Sequence, residues 1–361
     1  MSLKQPMPNQ VISRQNNFKL FWIVLCCLTF HPIVNAVEES VKQPRLEKLV
    51  LSGPIVSVSH PFIKMIKSHA LSDVAKQVEF KVWKNPDQMR ALTLQGDVDL
   101  MAMPTNVAAN LYNKGVDLKL LNVSVWGMLW MISREKDLTK LSDFKGKEIA
   151  IPFRGDMPDI IFNTLSKASG LEPEKDFKLK YVASPFDAMQ LLVTRRIDHA
   201  LLAEPAVSMA LRKVQTFPLS TVAPDLYRSV DLQQEWARLL KRAPQIPQAG
   251  IAVINNKLSD KVIQRFNEEY QKALQWCQTF PKLAGEMVAP EIEMLTADAV
   301  MDSIPVSRLN AVEALKAKPE LQYFYQLLYD NKPALIGGKM PDDAFYYSTK
   351  AIQNQVSQLA Q

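Results

Sequence analysis

The stretch "VEFKVWKNPDQMRALTLQGDVDLMAM", residues 78–103, lies without a gap on "FKLKYVASPFDAMQLLVTRRIDHALL", residues 177–202, at a shift of 99 positions. Pro86 meets Pro185, Leu92 meets Leu191, Val98 meets Ile197 and Asp99 meets Asp198. Each copy opens on a short run whose spacing suits a strand. A proline then starts a stripe of apolar residues at helical spacing, and a charged turn leads into a second apolar run. The pair predicts strand, proline turn, amphipathic helix, charged turn and second strand, made twice. An ancient duplication explains the match; chance likeness of two such units is the competing account.

The segments before the two copies extend the correspondence. "KLVLSGPIVSVSHPFIKMI", residues 48–66, and "EIAIPFRGDMPDIIF", residues 148–162, each read as a strand, a loop with a proline and a helix start, although pairing Pro61 with Pro158 needs a two-residue gap. Alternating strands and helices build an α/β fold. Two lobes follow, each a small, mostly parallel sheet flanked by helices. Ligands of such sheets bind outside the carboxyl ends of the strands. In the first lobe that places Gly53 to His60, Lys84 to Pro86 and Pro104 to Asn106 at a shared cleft; in the second, Phe153 to Pro158, Ser184 to Pro185 and Ala203 to Pro205. Two apolar, strand-like runs, "NVSVWGMLWMIS" at 122–133 and "IPQAGIAVIN" at 246–255, are the expected crossings of a hinge. The expected division is residues 1–36 as a signal peptide, 37–133 as the first part of lobe I, 134–245 as lobe II, and 246–361 as a helical return to lobe I.

Composition bounds the function. Of 361 residues, 47% are hydrophobic and 22% charged, which suits a folded chain long enough for two domains. The first 36 residues carry only Lys4, Arg14 and Lys19 as charges, then the apolar run "LFWIVLCCLTF" and small residues before "VEES". These are the marks of a secretory signal cut after Ala36, giving a soluble periplasmic protein. A retained anchor is the competing reading, though the run is short for a membrane span. Leu25 precedes Cys26 and Cys27 where a lipoprotein site has a small residue, so lipidation is not expected. Without the signal Cys277 stands alone, no intramolecular disulfide is possible, and burial on a helix is its expected role. The formal charge of +6 falls to about +3 when the three basic residues leave, too balanced to suggest a nucleic-acid partner.

Four segments, "GDVDLMAMPTNVAANL", "LSDFKGKEIAIPFRGDMPD", "YVASPFDAMQLLVTRRIDHALLAEPAVSMAL" and "PQAGIAVINN", give the chain after residue 47 a family likeness. It resembles the exported substrate-binding proteins of ABC transporters, in the branch of nitrate, sulfonate, taurine and thiamine-precursor binders. The resemblance implies a two-lobed, type II periplasmic-binding-protein fold that closes on a small-molecule ligand. It also implies a permease partner at the inner membrane, a monomer, and neither cofactor nor metal. The alternative is a cofactor-biosynthesis enzyme on the same fold, but the cysteine-rich motif of the pyrimidine synthases that resemble these binders is absent.

The candidate residues fall in the cleft loops. His60, His69 and His199 show no metal-ligand spacing, and no Gly-x-Ser-x-Gly elbow or phosphate loop is present. His60 is a candidate ligand contact or a solvated loop residue. Asp156, Asp159 and Glu204 form a possible acid–base set, but a helix cap, a first-turn charge and a hinge or cleft hydrogen bonder are better readings. Arg154 and Gly155 share the Asp156 loop, and Arg154 beside a helix N-terminus favours an anion. Trp126 on the first crossing stacks on a planar ligand or packs in the core, and core packing suits Trp130 better. Ser57, Ser59, Thr105, Asn106 and Ser184 supply small polar groups to a mostly apolar pocket. Arg154 favours an oxyanion or sulfonate, Trp126 and the nearby acids an aromatic heterocycle. N-terminal sequencing of the exported protein is expected to begin at Val37; an intact residue-1 form recovered from membranes would contradict the signal reading.

Overall fold

The computed structural model describes residues 45–349; the expected signal segment, residues 1–36 with Cys26 and Cys27, lies outside the described residues. The chain begins with β1 (Leu46–Gly53), a 3-10 turn (Ser57–Ser59), α1 (His60–Lys67), β2 (Ala75–Val82), α2 (Pro86–Gln95), β3 (Leu100–Pro104), α3 (Thr105–Asn113) and β4 (Lys119–Val125). It continues through β5 (Leu129–Ser133), β6 (Glu148–Pro152), α4 (Met157–Ala168), α5 (Pro173–Asp176), β7 (Lys178–Val182), α6 (Pro185–Val193) and β8 (His199–Ala203). Next come α7 (Ala206–Val214), α8 (Leu219–Val222), β9 (Tyr227–Asp231) and α9 (Leu232–Leu240). The return is β10 (Ala249–Val253), α10 (Asp260–Thr279), α11 (Pro281–Val288), α12 (Ala297–Ser303), β11 (Leu309–Glu313) and α13 (Ala314–Asn331).

The repeat in the sequence is a repeat in space. Pro86 and Pro185 open α2 and α6, where a missing N–H leaves no helical bond unmade. The residues before them cap: the Asn85 side chain accepts from the Gln88 N–H and Ser184 Oγ from the Asp187 N–H. The strands on either side take equivalent places, in the orders β2-β1-β3 and β7-β6-β8, all parallel. An antiparallel strand then adds to each set. β10 pairs with β3 in the first sheet and β5 with β8 in the second, so both sheets are mixed.

The full orders are β11-β4-β10-β3-β1-β2 and β7-β6-β8-β5-β9. β5 hydrogen-bonds between β8 and β9, so the first crossing is only residues 126–128, and 129–133, grouped with lobe I on sequence, sit in the second sheet. Alternation along the strands sends Leu49, Leu51, Leu100, Ala102, Ala150 and Ala200 to one apolar cluster. Val50, Met101, Met103, Ile149, Ile151 and Leu201 go to the other. Each cluster holds residues of both sheets. Strands covered on both faces explain the continuous apolar runs "LMAM" and "EIAIP".

The return helices pack beside the first sheet, with α10 on α1 and α13 on β4. They also reach the second lobe: α12 meets α7 and α13 meets α4. Cys277 is buried on α10, where burial pushes its thiol up to about 12. No described helix is long and apolar enough to cross a membrane.

β10 lies between β3 and β4, and its register against β4 is irregular beside Gly250. A Cβ at Gly250 would overlap the Asn122 carbonyl oxygen, a backbone atom that cannot swing aside. Gly250→Ala is therefore expected to lose about 3 kcal/mol of stability, the upper part of the range for overpacking a core. Equilibrium urea unfolding checks it, an unchanged midpoint being the contrary result.

Candidate functional site

The carboxyl ends of the two parallel strand sets face one another across a small cavity of ≈ 90 Å³. Every one of the six loops singled out in the sequence contributes to its wall. Pro54 and Val56 follow β1, Pro86 and Met89 lie after β2, and Pro104 ends β3; Phe153, Asp156, Met157 and Pro158 follow β6, Pro185 follows β7, and Ala203 ends β8. Met128 of the first crossing with Leu129 at the start of β5, and Gln248 with Ala249 at the start of β10, complete it. Trp83 and Met103 add aromatic and thioether surface. The Trp83 Nε1–H donates to the Ala102 carbonyl at 3.1 Å, which fixes the ring.

A larger recess of ≈ 330 Å³ lies at the opposite strand ends of the first sheet, where β4 starts and β10 ends. Its polar groups pair with each other: Asn256 donates to Asp117 and the Tyr347 hydroxyl to Asp260. Only one sheet contributes to it. The smaller cavity is the candidate site because both sheets build it.

Unpaired polar atoms gather on the first-sheet side. Of fourteen buried side-chain atoms without a hydrogen-bond partner among the described residues, six belong to Ser57, Ser59, His60, Asn106 and Gln248. These residues lie at the starts of α1 and α3 and just before β10, beside the carboxyl ends of the neighbouring strands β1 and β3, and of them Gln248 alone is in the cavity lining. The other eight atoms are scattered. A buried polar atom without a partner costs about 1 to 3 kcal/mol, so six at one edge mark a place where something else completes the bonding. His60 is 1% exposed, both ring nitrogens are unpaired, and burial lowers its pKa to about 4. Thr105, by contrast, is used by the fold: Oγ1 donates to the Pro247 carbonyl at 2.5 Å and its N–H to the Gln248 carbonyl at 3.1 Å.

On the other wall, the "FRGDMPD" loop is organised by Asp159, whose Oδ2 accepts the Gly155 N–H at 2.7 Å. Gly155 has φ +78, the left-handed region that suits glycine. Asp156 makes no side-chain cap to α4; its Oδ1 accepts from Arg90 Nη2 at 2.7 Å, joining the second wall to α2. Burial raises the Asp156 pKa and Arg90 opposes that shift. Arg154 does not line the cavity. Its side chain is 69% exposed, with the guanidinium over the Tyr181 ring at 4.7 Å and Glu174 at 3.8 Å.

Three more sequence candidates are held elsewhere. Ser184 caps α6 and donates to Asp187 at 2.7 Å. Glu204 is wholly buried, accepting from Arg228 at 2.6 Å and from Ser208 Oγ at 2.8 Å; burial raises its pKa against the pull of Arg228. The Trp126 Nε1–H donates to the Asn310 carbonyl at 2.8 Å, a bond that ties the crossing to β11. Sequence reasoning did not single out Gln248, Trp83, Arg90 or the methionines 89, 103, 128 and 157. Gln248 stood within the quoted crossing, but nothing local distinguishes a glutamine that faces a cavity.

A family model described as the phosphonate periplasmic substrate-binding protein of ABC transporters matches residues 59–272. Among curated proteins, no sequence matches this chain. Several solved structures resemble its fold. An ABC transporter structure from Parabacteroides distasonis has a TM-score of 0.68 at 22% identity, covering 84% of this chain and 100% of that one. The periplasmic aliphatic sulphonate binding protein SsuA of Escherichia coli has 0.63 at 16%, covering 85% and 94%. The periplasmic nitrate-binding protein NrtA of Synechocystis PCC 6803 has 0.61 at 13%, covering 87% and 86%.

The neutral, buried state of His60 makes stability depend on pH. Its folded pKa of about 4 lies below the ordinary 6.5, so between those values the unfolded chain binds the extra proton. The contribution is complete above pH 6.5 and falls as pH drops toward 4, by about 3 kcal/mol in all. Urea unfolding across that window is expected to show a shallower loss for His60→Leu than for the wild type. Equal slopes would assign the acid loss to other groups, such as His199, whose pKa burial also lowers.

Proposed function

We propose that this chain, which belongs to the phosphonate-binding family of ABC-transporter periplasmic substrate-binding proteins, captures a small molecule in the cavity between its two sheets and delivers it to its permease. It is the substrate-binding component of an ABC importer, and binding proteins of this kind are not enzymes. The observation that carries the capture reading is one cavity walled by strand ends from both sheets. A molecule touching both walls stabilises the closed arrangement over the open one. Export of the soluble chain as a monomer, with Asp156 in the cavity lining and Ser57, Ser59, His60 and Asn106 buried at the strand ends beside it, fits the same reading. The two crossings, residues 126–128 and the approach to β10, are where the lobes turn.

Arg90 and Asp156 act as a clasp at this cleft. The pair is partly exposed, so about 1 kcal/mol is its expected worth. Small-angle scattering is expected to show a more compact particle when the molecule released from the denatured protein is added back. Arg90→Ala is expected to weaken binding roughly fivefold by disfavouring closure. An unchanged scattering profile at saturation, with full affinity in the variant, would remove the closure account; turnover of the added molecule would favour an enzyme.

A further inference from the structure

The cavity carries no net charge. Asp156 is the only ionisable side chain in its lining, and Arg90 neutralises it from outside the wall. Among the described residues no lysine, arginine or histidine lines it, and the buried His60 nearby is uncharged near neutral pH. Helix N-termini are the usual substitute for a cation, since their free N–H groups point at an anion. Here three of them present prolines instead: Pro86, Pro158 and Pro185 line the cavity in the first turns of α2, α4 and α6. Proline has no N–H to give. Of the first-turn donors that remain on α2 and α6, the N–H groups of Gln88 and Asp187 are taken by the Asn85 and Ser184 caps, which leaves one on each helix, Asp87 and Phe186.

What the lining does offer is an acceptor, and the hydrogen bonds around it fix which atom that is. The Leu129 N–H donates to Gln233 Oε1 and Gln233 Nε2 donates to the Leu129 carbonyl, both at 3.2 Å, so the Gln233 amide has one orientation. Gln233 Nε2 also donates to Asp231 Oδ1 at 2.6 Å. Gln248 must therefore present its Nε2 to Gln233 Oε1, which it does at 3.1 Å. Its Oε1 is left as a buried acceptor with no partner, in a side chain wholly buried at the cavity wall. An acceptor so placed is completed by an N–H or O–H. Around it the walls are thioether and aromatic, which cover an apolar body and adapt to its shape.

We infer that the ligand of this cleft is an uncharged organic molecule that donates a hydrogen bond to Gln248 Oε1 and packs an apolar body against Trp83, Phe153 and the cleft methionines. Phosphonates, sulfonates and nitrate are outside its range. The inference rests on the capture reading and narrows it to one ligand class. An oxyanion without a proton has nothing to give Gln248, and it would meet no cation in the lining to offset its desolvation.

The test separates the two claims. A small-molecule extract of the producing cells is split by ion exchange at neutral pH into retained anions, retained cations and unretained material. Each fraction is added to the full protein stripped of bound molecules, and thermal unfolding is followed. The unretained fraction is expected to raise the Tm, while methylphosphonate, ethanesulfonate and nitrate at millimolar concentration leave it unchanged. Gln248→Met is expected to weaken binding of the active component, purified from that fraction, by about tenfold or more. Trp83→Ala, which leaves the Gln248 network intact, is expected to weaken it as well. Stabilisation by the anionic fraction or by any of the three named anions would overturn the inference, as would a cationic active component or full affinity in both variants. If no fraction stabilises the protein, it is the capture reading that fails.

Discussion

Everything at the cleft depends on β10 entering the first sheet between β3 and β4. The strand runs antiparallel to both, and at Gly250 the Asn122 backbone comes so close that no side chain fits. Asn122 is itself held, donating to Asn267 and accepting from Ser124 and from the Ile251 N–H. The insertion sets the place of Gln248, the residue before the strand. The Gln248 N–H donates to the Val125 carbonyl and its own carbonyl accepts from Thr105, so it is clamped between the end of β4 and the start of α3. The unpaired Gln248 acceptor is thus carried on backbone bonds beside a central strand.

β10 has a counterpart in the second sheet. β5 and β10 are equivalent additions to equivalent sheets, and the chain passes between sheets in short segments beside them. Fully burying a leucine or valine contributes about 1.5 to 3 kcal/mol, and such residues fill both faces of every central strand. The polar ties between lobes are weaker. Arg90 with Asp156, Lys167 with Asn331, Arg212 with Asp302 and Arg242 with Glu320 are partly exposed contacts of up to about 1 kcal/mol each. Apolar burial, which in each cluster joins residues of both sheets, supplies the large terms, and these polar contacts supply the small ones.

Family membership and cleft chemistry pull apart here. The family model carries a phosphonate description, and relatives in structure carry sulphonate and nitrate names, all of them anions. This chain keeps the architecture, yet it lines the cavity between its sheets with proline, methionine and tryptophan and puts Arg154 on Tyr181 outside it. Sheets and crossings are set by dozens of apolar residues and tolerate change at a few loop positions; recognition rests on those few positions and changes freely with them.

The sequence alone determined the repeat, the two α/β lobes and the six loops that meet at the cleft. Those features follow from periodicity and from prolines and caps, which act between near neighbours in the chain. Ser57, Ser59, His60 and Asn106 were readable as cleft-loop polar groups for the same reason. Tertiary structure alone decided that β5 belongs to the second sheet, that Asp156 meets Arg90 across the cleft instead of capping α4, and that Arg154 faces solvent. It alone placed Gln248 and the methionines at the cavity. Their roles depend on which residues distant in sequence lie opposite, and on where a neighbouring amide has already spent its donors. A linear pattern carries no record of either.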